Sequence, residues 1–247
     1  MGHGLPPDVP AIRQMCITGE TRDRGVTAAR QGTIMARYAD SLFTIRSAFA
    51  GPGCSMALKS TIYKTELQIA DMDRHYYADH SLTIALHPSE TNERMMVRVA
   101  AFALFAQERL EFCKGLSDID EPDLWAKDLT GAIDTWIEVG QPDERRIAKA
   151  SGRANEVIVI AYGGRTSDIW WQGVRNKVER MRNVTVWSLA EDVAPALGAL
   201  AERTMRLQCT IQDHAAWLGS ETADAVPIEW TVLKAAENAR PAAHGGR

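Results

Sequence analysis

The sequence predicts an α/β fold, a central mixed sheet with flanking helices that is extended at both ends by antiparallel strands. Three observations predict it. Residues 61–69 and 75–87 alternate apolar and polar side chains, the period-two signature of strands. The middle of the chain interleaves strand-like and helix-like runs, the order that builds an α/β sheet. The chain then returns to alternating strands around 207–211 and 228–232.

Taken in order, Thr61, Tyr63, Thr65, Leu67 and Ile69 share one face of the first strand, with Lys64, Glu66 and Gln68 on the other. Asp71-Met72-Asp73-Arg74 reads as a turn, and Leu82, Ile84 and Leu86 mark the return strand of a hairpin. His87-Pro88-Ser89-Glu90 then opens a helix. Ser89 is its expected N-cap, and Glu90 and Glu93 suit the positive end of the helix dipole. Met95, Val99, Phe102, Ala106 and Leu110 recur at threes and fours, so the helix is expected to bury one face and to run until just before Gly115.

Residues 123–140 read as two strands around a turn at Asp128 to Gly131. Ile133, Thr135, Ile137 and Val139 share one face of the second strand; Asp134, Trp136 and Glu138 share the other. Gln141-Pro142-Asp143-Glu144 begins a helix, with Pro142 in its first turn and Gly152 at its end. Residues 156–162, EVIVIAY, are apolar on both faces, as in a buried strand. A helix is expected over about 167–181, a strand over 184–189 and a helix over 191–204, with Pro195 in its first turn. The hairpins at the two ends are similar in character, which predicts that the ends pair into one sheet.

The 247 residues are 45% hydrophobic and 24% charged, a globular composition that excludes a disordered or coiled-coil chain. Basic residues number 28 against 32 acids, a formal charge of −4, so no broad basic surface advertises nucleic acid or anionic membrane. No apolar run is long enough for a membrane helix, and the start lacks a secretion signal. The four cysteines, at 16, 54, 113 and 209, form no C-x-x-C pair. Isolated thiols and no zinc framework fit a reducing cytoplasm.

Composition divides the chain. Residues 1–55 hold six arginines, four acids and no lysine, a balance of +2, whereas residues 56–247 carry −6 and all seven lysines. A targeting arm would be poor in acids, and Asp8, Glu20, Asp23 and Asp40 argue against one. The expectation is a disordered or wrongly included leader over 1–55, with Met56 as a plausible start. A single domain over 56–235 and a disordered tail over 236–247 follow.

Walker A, G-x-G-x-x-G, G-x-S-x-G and H-E-x-x-H signatures are all absent. The constellation that carries chemistry is acidic. Asp123 follows Pro122 at the opening of one strand, and Glu138 lies near the end of the next. With the turn centred on 129–130, Asp123 falls opposite Trp136 and diagonal to Glu138, about 7–8 Å away at Cα. Two carboxylates so placed would hold a magnesium ion, a hard cation that keeps waters for substrate phosphate. Asp134 lies roughly 13 Å along the strand from Glu138 and is a secondary candidate.

This arrangement resembles the PD-(D/E)xK nuclease core. In that resemblance Glu93 is the helix acid, Pro122-Asp123 the first motif and Glu138-Val139-Gly140 the second, with glycine where the lysine belongs. Lys149 or Arg146, on the helix that follows, would then supply the positive charge. Gln172 and Gln212 are secondary candidates for orienting a water or a nucleotide, or for capping backbone. Trp170-Trp171 would stack bases or pack the helix onto the sheet.

From Met56 onward the chain resembles the YaeQ family of uncharacterised bacterial proteins. The segments that carry the resemblance are MALKSTIYK (56–64), HPSETNERMMVR (87–98), GLSDIDEPDLW (115–125), WIEVGQPDERRIAKA (136–150), IWWQ (169–172) and RTMRLQCTIQD (203–213). The resemblance implies a variant of the nuclease-like fold with no settled activity. Two functions therefore stand. One is a magnesium-dependent phosphodiesterase acting on nucleic acid, in which Asp123 and Glu138 bind metal, Glu93 assists, and Lys149 or Arg146 steadies phosphate. The other is a non-catalytic binding or regulatory partner, as the missing lysine and the acidic balance imply. One fold hosts many functions, so the site must decide.

Overall fold

The computed structural model describes residues 60–114 and 120–237. The expected leader over 1–55 and most of the expected tail lie outside the described residues.

Two mixed sheets organise the described residues. The outer sheet has the order β10 (Val226–Ile228), β9 (Ala215–Ser220), β8 (Thr204–Gln212), β1 (Thr61–Asp71), β2 (Tyr76–Leu86). The central sheet has the order β11 (Trp230–Lys234), β7 (Val184–Leu189), β6 (Ala154–Ala161), β5 (Ile133–Val139), β4 (Leu124–Lys127), β3 (Leu110–Phe112). Helices α1 (Asn92–Leu104) and α4 (Val193–Ala199) share a core with one face of each sheet, and α2 (Glu144–Ser151) and α3 (Arg165–Val178) cover the far face of the central sheet. Both helix layers and both sheets thereby bury their apolar faces. The expected pairing of the two ends is present, since β1 runs parallel to β8, but it builds a second sheet instead of extending the central one.

The alternation in β1 places Tyr63, Leu67 and Ile69 in the core and leaves Lys64, Glu66 and Gln68 exposed. β6 is buried on both faces, with Val157 and Val159 toward α2 and α3 and Ile158 and Ile160 toward α1. β5, β6 and β7 are parallel neighbours.

Five expectations are corrected. The first helix is capped by Thr91, whose hydroxyl accepts from the Arg94 amide at 3.2 Å, while Ser89 bonds the His87 ring. Every residue from Met95 to Leu104 is buried, because α1 lies between the two sheets rather than on a surface. The helix also ends at Leu104. Arg109 takes a left-handed φ of 64°, and Leu110 opens β3. Pro142 stands outside α2, which Asp143 caps by accepting from the Arg146 amide at 2.7 Å.

The last of the five concerns the C-terminal strands. The run at 228–232 does not pair with β8. It divides at Glu229, so that β10 stays in the outer sheet and β11 crosses to pair with β7. Trp230 stacks there on Trp187 with centroids 5.0 Å apart. The partner of β8 is β9, joined through Asp213 and His214, both at positive φ. Among the described residues no helix is long and apolar enough to cross a membrane.

Candidate functional site

A cleft of about 500 Å³ opens where β5 and β6 end, lined in part by Arg94, Glu138, Gly140, Arg146, Tyr162 and Gly163. The carboxyl ends of parallel strands are where open α/β sheets present ligand sites. Gly140 and Gly163 turn the chain out of the two strands at φ of 106° and 101°, a region that side chains rarely adopt. A Cβ on Gly163 would also approach Thr166 Oγ1 to 2.9 Å. The Gln141 amide donates to the Tyr162 carbonyl at 2.8 Å and ties the two strand ends together.

The acids singled out from the sequence sit at this end of the sheet. The turn of the β4–β5 hairpin centres one step later than expected, with Lys127 facing Ile133, and a bulge between Ala126 and Lys127 shifts the register again, so Trp125 faces Trp136 and Leu124 faces Ile137. Asp123 therefore comes level with Glu138 rather than diagonal to it. Its carboxylate is fully buried and accepts both contacts of Arg94 Nη2, at 2.8 and 2.9 Å, and the Val139 amide at 2.8 Å. Glu138 is buried and accepts from Arg146 Nε at 2.9 Å and from the Trp136 indole at 2.8 Å. Arg94 comes from α1 on one side of the sheet and Arg146 from α2 on the other.

Electrostatics follow from this pairing. Burial raises the Glu138 carboxyl above its ordinary range, opposed by the charge and hydrogen bond of Arg146. Burial also raises the Tyr162 phenol, against the pull of Arg94. Arg94 reaches further, with Nη1 on Glu90 at 2.8 Å, and Glu90 in turn pairs with Arg98. A buried chain of alternating charge thus runs Arg98–Glu90–Arg94–Asp123 under the cleft.

The remaining candidates lie elsewhere. Glu93 is exposed on α1 and packs against Gly198 of α4. Lys149 pairs with Asp120. Asp134 accepts from Asn155 at 3.2 Å, at the opposite end of β5 from Glu138. Gln172 is exposed on α3, and Gln212 ends β8 in the outer sheet, where it donates to Asp213. None of these five lines the cleft. Trp170 donates to the Pro142 carbonyl at 2.8 Å and packs with Trp171 against the core beneath α3, the packing role rather than an open stacking platform.

Arg94, Glu90 and Arg98 were not among the candidates. Their signal is the spacing Glu90, Arg94, Arg98, an acid just before the cap of α1 followed at four-residue steps by two arginines on one helix face. A magnesium ion between Asp123 and Glu138 needs free carboxylate oxygens. Both carboxylates are taken by guanidinium groups, and among the described residues no group of three or more His, Cys, Asp or Glu is gathered to hold a metal. The residues as arranged do not fit the ion.

Comparison with known proteins is consistent across sequence and structure. The family model described as YaeQ protein matches residues 56–229. The uncharacterized protein YaeQ of Salmonella typhi is 50% identical over 163 residues, 66% of this chain and 90% of that protein. Its counterpart in Escherichia coli (strain K12) is 48% identical over 166 residues, 67% of this chain and 92% of that protein. The crystal structure of the YaeQ protein from Xanthomonas axonopodis pv. citri matches with a TM-score of 0.68 at 50% identity, covering 71% of this chain and 99% of that one. The YaeQ structure from Pseudomonas syringae matches with a TM-score of 0.68 at 35% identity, covering 72% and 98%.

Proposed function

The chain belongs to the YaeQ family, and from that premise we propose that it is a non-catalytic protein on a PD-(D/E)xK nuclease-like core, acting by binding a partner at the cleft. The observation that carries this reading is the occupation of both acids. Asp123 is closed by Arg94 and Glu138 by Arg146, so the position a divalent cation would need is already neutralised. The second motif ends in Gly140, with no lysine to position an attacking water. The cleft volume lies within the range of small-ligand sites, which suits a small molecule or a single protruding group of a partner.

The competing reading is a magnesium-dependent nucleic-acid phosphodiesterase. One observation favours it, the placing of Asp123 level with Glu138 on neighbouring strands beside an open cleft. It requires Arg94 and Arg146 to release their carboxylates, and Lys149 and Glu93 lie outside the cleft lining. Incubating the full chain with labelled single- and double-stranded DNA and RNA, with Mg²⁺ or Mn²⁺, separates the two. The binding reading expects intact substrate. Cleavage abolished by Glu138→Gln would overturn it.

A further inference from the structure

The two sheets have four edges, and three of them carry devices that block further pairing. β3 and β10 are three residues long, and β10 contains Pro227. β11 has five residues, a bulge between Val232 and Lys234, and the lysine itself. Short strands, proline, bulges and lysine are the usual protections of an exposed edge. The fourth edge, β2, has none of them. It is 11 residues long, YYADHSLTIAL, without proline, lysine or arginine, and its register with β1 is unbroken from Tyr76 to Leu86. Among the described residues no strand pairs with its outer side.

The side chains of β2 are left correspondingly unfinished. On the core-facing side, Tyr76, Leu82 and Leu86 are only half-buried, while Tyr63, Leu67 and Ile69 of neighbouring β1 are buried. On the outer side Tyr77 is 64% exposed. A further strand along β2 would cover both sets.

We infer that β2 is a self-association edge, pairing antiparallel with β2 of a second copy about a two-fold axis at Ser81. Antiparallel pairing centred there runs from Tyr76 opposite Leu86 of the second copy, with one outer carbonyl, that of Ala85, already accepting from Arg98 at 3.1 Å. On the core side it sets Ala78 opposite Ile84, and Leu82 opposite the imidazole of His80, which already bonds the Tyr76 hydroxyl. On the outer side Tyr77 meets Ala85. The one formal charge of the strand, Asp79, falls opposite Thr83, so no like charges meet. An isologous two-fold contact is the commonest way for identical chains to associate, and here it would join two five-stranded outer sheets edge to edge.

Thr83 gives the test. Thr83→Lys places a lysine opposite Asp79 twice in the dimer, and Thr83→Asp places two carboxylates opposite each other twice. Cross-strand charge pairs of this kind change association by a few tenths to about 1 kcal/mol each, so the dimer dissociation constant should fall roughly tenfold for lysine and rise roughly tenfold for aspartate. Within one chain the effects run the other way, because Thr83 faces Lys64 of β1, so a change in fold stability cannot mimic them. Sedimentation velocity of the full chain over a concentration series, with thermal unfolding of each variant as a control on folding, reads the result. A reversible dimer shifted in opposite directions by the two variants supports the pairing. A monomer at all concentrations, a dimer indifferent to both, or shifts of the same sign would overturn it. Protection of β2 amides in a monomer would instead assign the edge to another segment of the same chain.

Discussion

Arg94 Nη2 donates to both oxygens of Asp123, at 2.8 and 2.9 Å, from a helix on one side of the sheet to the first residue before a strand within it. With the Val139 amide also bound to the same carboxylate, the contact joins α1, β4 and β5 at the floor of the cleft. Removing one member of a buried pair leaves the other charge uncompensated, at a cost of about 3–5 kcal/mol. Arg94→Met should lower unfolding stability by about that amount, read by urea denaturation. Arg94→Met combined with Asp123→Leu should recover much of it. A near-neutral effect of the single change would show that the pair carries no such weight.

Glu138 gives a pH dependence with a defined sign. Burial raises its folded-state carboxyl above the ordinary value of 4.5. Between that value and the raised one, the folded chain holds more protons at this site than the unfolded chain. Stability contributed by the site therefore falls as pH rises through that window. The effect should vanish in Glu138→Gln. Denaturation midpoints of the two proteins, compared at steps from about pH 4 to about pH 7, check it. Parallel curves would contradict the raised value.

The cap of α1 separates two serine/threonine candidates. Thr91→Ala removes the hydroxyl that accepts from the Arg94 amide and should cost about 1 kcal/mol. Ser89→Ala, outside the helix, should cost a few tenths at most. Equal losses in thermal unfolding would return the cap to Ser89.

Gly163 tests the rim of the cleft. Gly163→Ala forces a side chain into φ of 101° and against Thr166 Oγ1 at 2.9 Å. A destabilisation of about 1–3 kcal/mol is expected, with Thr166→Ala relieving the steric part. An unchanged midpoint would mean that the β6–α3 turn is free to relax.

Much of the fold was legible because period governs it. The alternation of β1, the double-sided apolarity of β6 and the turn at Asp128 to Gly131 all appear as read. The first helix ends earlier than its periodicity predicts for a physical reason. Ala106 and Leu110 continue the spacing of threes and fours and are both buried, but they are buried from a turn and a strand. Periodicity reports burial, and two elements can supply it in succession. The one-step shift of the turn and the bulge at Ala126/Lys127 leave no mark in the sequence, so the register of Asp123 against Glu138 was displaced. The acids of the site were legible as acids. Their partners were not, because an arginine on a helix reads as solvent-facing until a second element closes over it, as the two sheets close over Arg94 and Arg98.

Asp123 and Glu138 are each held by an arginine, which sets them against binding a metal ion. Titration calorimetry of Mn²⁺ into the full chain at neutral pH reads this directly. The arginine-held arrangement predicts no specific binding up to millimolar Mn²⁺. A micromolar site in the unmodified protein that disappears in Asp123→Asn would contradict it.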